Sequence, residues 1–398
     1  MIQRPQYLEQ LQQLKETRLI KVLTGIRRCG KSTLMELYRT YLIESGIDTS
    51  QIISINFEDM DYAELLDATS LHTYVKDRLV SDRMNYIFLD EVQNVHEFPK
   101  VLDSLYIKNN VDLYVTGSNA FLLSSELATL LSGRYVEIQM LPLSFKEYVS
   151  AGEPGGSLRR KYNEYIRFSS FPYALALQDR PTVLNQYLQG IYSTVILKDV
   201  VAKNGIADVM LLESIIKYLF HSVGNLISTK KIADTLTTNG RKTTSPTVEK
   251  YITALVDSYM FYHVNRFDVK GRDHLKSLEK YYCVDMGLRF LLLGSKAGDT
   301  GHILENIIYL ELIRRGYTVY VGKTPSSEID FVTRDAQGSF AYYQVCATVQ
   351  EQKTLDRELA PLLGMDDHYP KFLITLDEEN ESDYQGIRII NALDFLLS

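Results

Sequence analysis

Eight consecutive residues, Gly25-Ile26-Arg27-Arg28-Cys29-Gly30-Lys31-Ser32, satisfy every fixed position of the spacing GxxxxGK[ST]. That spacing is anion chemistry. Glycines let backbone N–H groups curl around a phosphate, and the helix that follows adds its positive end. Lys31 reaches the outer phosphate oxygens, and the Ser32 hydroxyl suits Mg2+. Gly25 through Thr33 are therefore expected to bind ATP. Downstream, Tyr86-Ile87-Phe88-Leu89-Asp90-Glu91 is an apolar run ending in two carboxylates. Phosphoryl transfer needs one acid to hold Mg2+ through water, assigned to Asp90, and one to orient or deprotonate the attacking water, assigned to Glu91. Asn119 has two readings: it fixes that water from the other side, or it caps a helix starting at Ala120. Arg134 also has two, neutralising charge on the γ-phosphate of a neighbouring subunit or forming an ion pair. Arg27 and Arg28 flank the phosphates, where either could assist binding or face solvent.

The elements that must position these groups follow from the hydrophobic pattern. Arg18–Thr24 reads as a strand, Gly25–Ser32 as a loop, and Thr33 to about Ser45 as a helix with Leu34, Leu37, Tyr38 and Tyr41 on one face. Gln51–Phe57, Tyr86–Leu89 and Val111–Val115 are further strands, separated by helical spacing over 62–80 and 98–108. A helix is expected over 121–136. Strand and helix units in this order predict a mostly parallel sheet covered on both faces. Ligands bind such sheets beyond the carboxyl ends of the strands, where each polar cluster named above falls.

With 398 residues, the chain is long enough for two or three compact units. The 43 basic and 50 acidic side chains leave a net charge of −7, which gives no global argument for a nucleic-acid partner and does not exclude a local basic patch. Cys29, Cys283 and Cys346 have no CxxC spacing, so neither a disulfide framework nor a zinc site is implied. A reducing, cytoplasmic location is the expectation. The N-terminus lacks a signal-peptide core and no apolar run is long enough to cross a bilayer, so membrane insertion is not expected.

Beyond a flexible stretch at 152–156, helices run to about residue 220. Ile227–Leu236 and a helix opened by Pro246 flank a polar turn, and Phe261–Arg266 with Lys280–Cys283 form a two-stranded ribbon. Helix, turn, helix and ribbon together resemble a winged-helix unit. Lys230, Lys231, Arg241, Lys242, Arg266, Lys270 and Arg272 give it a basic surface, from which contact with DNA through residues 228–280 is one reading and a solvated face the other. A last α/β unit begins with a helix around His302–Arg315 and continues with strands at 318–321, 329–333 and 340–347.

The chain as a whole resembles a prokaryotic group of AAA+-type ATPases whose ATPase domain is followed by a domain of uncharacterised function. The resemblance rests on Thr24–Thr33, Tyr86–Gln93, Thr116–Ala120, Leu131–Phe145, Phe171-Pro172, Tyr192–Asp199, Lys280–Leu288, Glu305-Asn306, Glu328–Phe331 and Gln344–Cys346. It implies nucleotide and metal binding at Lys31-Ser32, metal and water at Asp90-Glu91, and a polar sensor at Asn119. One departure is visible: Ser169-Ser170 stands where the family usually carries Gly-Gly. Glu305 on a helix, Asp330 at a strand start and Gln344-x-Cys346 on the next strand are laid out like a restriction-endonuclease-like fold, with Glu305, Asp330 and Gln344 as a second metal-binding set. Such enzymes use a lysine where this chain has Cys346 and an acid where it has Gln344. Cleavage is therefore expected to be compromised and the unit degenerate.

The resulting expectation is an α/β protein in four parts: a P-loop ATPase core over 1–150, a helical connector over 151–222, a winged-helix-like unit over 223–292 and a restriction-endonuclease-like domain over 293–398. Its expected function is ATP binding and Mg2+-dependent hydrolysis driving a conformational switch or motor. Alternatives are a nucleic-acid or protein binding module locked by ATP, and an ATP-regulated, metal-dependent nuclease. DNA, a protein partner for the C-terminal domain, and further copies of the chain are the candidate partners.

Overall fold

A computed structural model describes residues 2–117, 131, 133–153, 155–269, 273–294, 299–324, 327–378 and 382–398, with backbone alone over 273–277. The chain divides into two compact units, Met1–Pro142 with Asp257–Tyr259, and Leu143–Val256 with Met260–Ser398.

The first unit is built on five strands, β1 (Ile20–Thr24), β2 (Ile52–Asn56), β3 (Asn85–Asp90), β4 (Val111–Thr116) and β5 (Tyr135–Gln139). They are all parallel, in the order β2-β3-β4-β1-β5. Every residue of β1 and β3 is buried, as parallel strands covered on both faces must be. Four helices are described here: α1 (Pro5–Gln13), α2 (Lys31–Glu44), α3 (Ala68–Lys76) and α4 (Phe98–Tyr106). Ile87 and Leu89 pack into an aliphatic core with Val101, Leu102 and Leu105 of α4. Phe88 turns the other way and stacks on Tyr114 at 4.8 Å between ring centres, with Tyr38 of α2 against both. The stretch expected to be helical at 62–80 is shorter, a 3-10 turn at Met60–Leu66 followed by α3, because Asp67 caps the helix by accepting from Ser70 N. The helix expected over 121–136 lies largely outside the described residues, and its last two residues, Tyr135 and Val136, open β5 instead, paired in parallel with β1.

The second unit opens with helices α5 (Phe145–Ala151), α6 (Leu158–Phe168), α7 (Pro181–Thr194) and α8 (Val209–His221). Helix α9 (Thr229–Thr238) and α10 (Ser245–Asp257) then flank a turn, and β6 (Phe261–Asp268) pairs antiparallel with β7 (Asp273–Cys283). After α11 (Met286–Leu293) and α12 (Thr300–Arg314) come β8 (Thr318–Lys323), β9 (Glu328–Arg334) and β10 (Phe340–Cys346), then α13 (Gln352–Leu363), β11 (Lys371–Thr375), β12 (Ser382–Tyr384), β13 (Ile387–Asn391) and α14 (Ala392–Leu397). The boundary expected at 292/293 is crossed by hydrogen bonds. β6 pairs in parallel with β8, so the ribbon is the end of one eight-stranded sheet, ordered β12-β13-β11-β10-β9-β8-β6-β7. An open β8 edge would have left a row of backbone groups unpaired, and β6 covers it. No helix among the described residues is long and apolar enough to cross a membrane.

Candidate nucleotide site and a second carboxylate cluster

Strand β1 delivers the chain to the phosphate loop at its carboxyl end, and the backbone there requires glycine. Gly25 has φ +133°, and a Cβ on it would lie 2.2 Å from the Met140 carbonyl oxygen. Gly30 has φ +107° and opens α2 in the left-handed region, which only glycine enters without strain. Lys31 is the first residue of α2 and is buried. Its ammonium donates to the Gly25 carbonyl at 2.9 Å and to the Ile26 carbonyl at 3.4 Å. It thus lies folded over the loop, and its hydrogen-bond acceptors among the described residues are these two neutral carbonyls.

Parallel pairing of β3 with β4 and of β4 with β1 brings Asp90, Thr116 and the phosphate loop to the same end of the sheet. Asp90 accepts from Thr116 Oγ1 and is hydrogen-bonded to Ser32. Burial pushes its carboxyl above the usual range, against the lowering effect of those two hydroxyl bonds, and the Glu91 charge pushes the same way. A buried carboxylate beside a hydroxyl is an all-oxygen donor set of the kind Mg2+ takes, so Ser32 and Asp90 fit the metal assigned to them. Glu91 follows in a left-handed conformation, φ +55° and ψ +47°. Its N–H donates to Thr116 Oγ1 at 2.8 Å, and its carboxylate accepts from Gln93 Nε2. A non-glycine residue held in this region is strain that the surroundings must sustain. Thr116 ties both acids to β4, and Gln93 holds the Glu91 carboxylate. Neither residue was assigned a role from sequence, although Thr116 stood in the polar cluster closing β4 and Gln93 in the run Tyr86–Gln93.

Arg134 is placed differently. It precedes β5, and its carbonyl accepts from Ile20 N at 2.8 Å, at the start of β1. That is the end of the parallel sheet opposite the phosphate loop, so Arg134 cannot meet a phosphate held by its own Lys31. Its guanidinium pairs with Asp103 and lies over the Tyr106 ring at 5.3 Å, the ion-pair reading offered by the sequence. Arg27 meets Glu58 at 3.4 Å. Asn119 lies outside the described residues.

In the second unit Glu305 of α12, Asp330 of β9 and Gln344 of β10 line one cleft of about 660 Å3, together with His302 and Glu358. Two of these carboxylates, Glu305 and Asp330, already face a cation that sequence reasoning did not single out. Lys280 of β7 is buried, with its ammonium 2.9 Å from Glu305 Oε1, 2.7 Å from Glu328 Oε1 and 3.7 Å from Asp330 Oδ1. Burial works to discharge Lys280, but the carboxylates of Glu305, Asp330 and Glu328 outweigh it and raise its pKa. Burial alone would raise the Glu305 carboxyl; Lys280, with bonds from His302 and Tyr282, lowers it. Asp330, partly desolvated and facing the Glu305 charge, is pushed up to about 7. Gln344 Oε1 accepts from Asp330 N at 3.3 Å, and its amide nitrogen donates to Glu358 at 2.9 Å. Its oxygen is thereby turned to the backbone rather than offered to a metal. Cys346 points its thiol at the Thr348 carbonyl, 3.2 Å away.

Of the basic residues of 228–280, Lys230 and Lys231 on α9 are half-buried and exposed respectively, Lys242 in the turn is exposed, and Arg241 and Arg266 are half-buried. Lys270 and Arg272 lie outside the described residues. The Ser169-Ser170 turn has a structural account. Ser169 sits at φ +82°, ψ +151°, a conformation belonging almost wholly to glycine. Ser170 donates through both N and Oγ to the buried Asp285 carboxylate, at 2.7 and 2.6 Å. Asp285 also caps α11, and a Cβ on Gly287 would strike Ser169 Cβ at 2.4 Å. Ser169-Ser170 and Asp285–Gly287, distant in sequence, thus meet as one packed joint.

Residues 17–149 match the AAA domain family, and residues 159–299 match a domain of unknown function, DUF8612. An uncharacterized protein of Haemophilus influenzae is 39% identical over 401 residues, covering 100% of this chain and 99% of its own length. An uncharacterized protein of Methanocaldococcus jannaschii is 31% identical over 333 residues, 79% of this chain and 71% of its own. Among solved structures, a Walker-type ATPase of Pyrococcus abyssi superposes with a TM-score of 0.53 at 14% identity, over 73% of this chain and 96% of its own. At that identity the likeness speaks to fold, and it agrees with the parallel five-stranded sheet of a P-loop NTPase.

Proposed function

Since the chain belongs to one family with the Haemophilus influenzae relative it matches along its whole length, and residues 17–149 match the AAA domain family, we propose that it hydrolyses ATP with Mg2+ at the carboxyl end of β1 and β3 and uses the cycle as a conformational switch. The observation that carries this is the hydrogen-bonded pair Ser32 and Asp90 beside Lys31. Mg2+ bound there would offset phosphate charge. Lys31 exchanges its two carbonyl acceptors for phosphate oxygens. Ser32 and Asp90 would hold the metal. Glu91, kept in place through Thr116 and Gln93, orients the attacking water and takes its proton. Arg134 is left with a role only toward a second copy of the chain.

Fluorescent ATP binding and steady-state phosphate release, compared with Lys31→Ala, test this reading. Wild-type turnover that Lys31→Ala abolishes supports it; equal nucleotide retention by the two proteins sinks it.

For the second unit, α9, the turn, α10 and the β6–β7 ribbon support a winged-helix reading. The helix α12 followed by antiparallel β8-β9-β10 and parallel β11 supports a restriction-endonuclease-like one. We read the latter as a binding rather than a cleaving domain, because Glu305 is already paired with Lys280, which also lies 3.7 Å from Asp330, and the Gln344 oxygen is turned to the backbone. DNA is the proposed ligand of α9 and the following turn. Neutralising Lys230, Lys231 and Lys242 together should weaken duplex binding at low salt and flatten its salt dependence by about three ion equivalents. Unchanged binding would remove that surface from the proposal.

A further inference from the structure

The loop that carries Lys31 is gripped from behind by a residue near the chain's start. Arg4 is 3% exposed. It donates to the Cys29 carbonyl at 3.0 Å and to the Leu141 carbonyl at 2.8 Å, with the Pro142 carbonyl at 3.5 Å. Its guanidinium lies over the Tyr7 ring, 4.9 Å from the centre, and the Tyr7 hydroxyl accepts from Leu141 N at 3.0 Å. In a planar trans peptide the carbonyl and the following N–H point in opposite directions. Fixing the Cys29 carbonyl on Arg4 therefore aims the Gly30 N–H away from Arg4, as a phosphate-binding loop presents its donors.

The stretch that Arg4 holds at its other end is wired to the same loop. Met140 N donates to the Thr24 carbonyl at 2.9 Å, and the Met140 carbonyl packs directly on Gly25. Glu137 accepts from Thr24 Oγ1 and, at 3.1 Å, from the Tyr259 hydroxyl. Residues 137–142 thus touch the phosphate loop at its beginning and, through Arg4, near its end. The same residues run to the point where the chain leaves the first unit, and Tyr259 belongs to the segment by which it briefly returns.

We infer that Arg4 is a positioning residue for the phosphate loop, and that residues 137–142, clamped by it, carry the nucleotide state to the chain's exit toward the second unit. This rests on the ATPase reading. A lysine at position 4 keeps the charge but not the planar fork that serves two carbonyls at once. Both Arg4→Ala and Arg4→Lys in the full-length chain should weaken binding of a fluorescent ATP analogue in Mg2+ about 10–100-fold. At saturating ATP both should also lose the ATP-dependent protection from hydrogen exchange that wild type shows over 137–142. Arg4→Lys guards against misfolding of the alanine variant, and both are measured below their melting temperatures.

If wild type and Lys31→Ala bind alike, the ATPase reading fails. If Lys31→Ala loses ATP while both Arg4 variants bind like wild type, only the inference fails. Weakened binding with full ATP-dependent protection over 137–142 would overturn the coupling.

Discussion

Each unit of the molecule sets a lysine among carboxyl groups, and the two settings differ in what the lysine is tied to. Lys31 rests on the neutral carbonyls of Gly25 and Ile26, bonds that a phosphate readily replaces because its charge gives a stronger one. Lys280 rests on Glu305 and Glu328, with Asp330 close by, ionic partners that the fold itself supplies. A functional lysine is loosely held until its ligand comes. A structural one has found its counter-charges within the fold. The same contrast holds for strain. Glu91 is held in the left-handed region at the end of β3, beside the proposed chemistry, whereas Ser169 is held in a glycine conformation where two segments pack.

The largest effect that sharpens this comparison is expected at Lys280. Replacing it with methionine leaves Glu305, Glu328 and Asp330 facing one another without a cation, and breaking a buried ion pair from one side costs about 3–5 kcal/mol. The loss should depend on pH with a definite sign. Without the ammonium, burial and mutual repulsion raise the carboxyl pKa values in the folded state. A group whose folded pKa is raised contributes stability below its unfolded pKa and loses it as pH rises through the folded one. Lys280→Met should therefore be least destabilised near pH 5 and most above pH 7, where wild-type Asp330, with its pKa near 7, is also ionised. Urea melts of both proteins at several pH values measure this. A variant as stable as wild type at pH 8 would break the contrast, since Lys280 would then not be the cation the carboxylates need.

Next in size is Glu91→Gln, which keeps the shape and the bond from Gln93 but removes the base. Loss of a positioned general base lowers turnover by about 100-fold or more, near 3 kcal/mol in the barrier. ATP affinity should change little, because Glu91 is assigned to water rather than to phosphate. Phosphate release and nucleotide titration on one preparation separate the two effects, and undiminished turnover would take Glu91 out of the mechanism.

How much of this was legible in the sequence follows from the range of the interactions. The phosphate loop was readable because its demands are local: Gly25 and Gly30 adopt angles that only glycine takes freely, and Lys31 and Ser32 are fixed by the helix they begin. The parallel sheet was readable from fully apolar strands such as Tyr86–Leu89. Lys280 was not, because its partners lie on α12 and β9 and only pairing of the sheet brings them near. Arg4 was not legible either, since nothing nearby in sequence shows that Cys29 and Leu141 will present carbonyls to it. The boundary at 292/293 failed to mark a break for a related reason: the pattern of β6 tells that it is a strand but not that its second neighbour will be β8. Ser169-Ser170, where the resemblance to relatives raised a question, needed the backbone conformation at Ser169 to answer it.

The smallest predicted effect concerns that turn and tests whether the strain there is only structural. Ser169→Gly relieves a conformation costing about 1–3 kcal/mol for a residue with a side chain. Against this stand about 0.5–1 kcal/mol for the greater freedom of glycine in the unfolded chain and the bond from Phe171 N to Ser169 Oγ at 3.2 Å. Removing the side chain also eases the approach of Gly287, whose Cα already sits close against Ser169. The net result should be a gain of about 0.5–1 kcal/mol in denaturant unfolding, with ATP turnover unchanged, because Ser169 touches no group assigned to the nucleotide. Glu91→Gly would relieve strain of the same kind and should instead lose turnover. If Ser169→Gly also lowered turnover, the turn would belong to the working parts of the molecule, and strain at Ser169 would have to be explained as strain at Glu91 is.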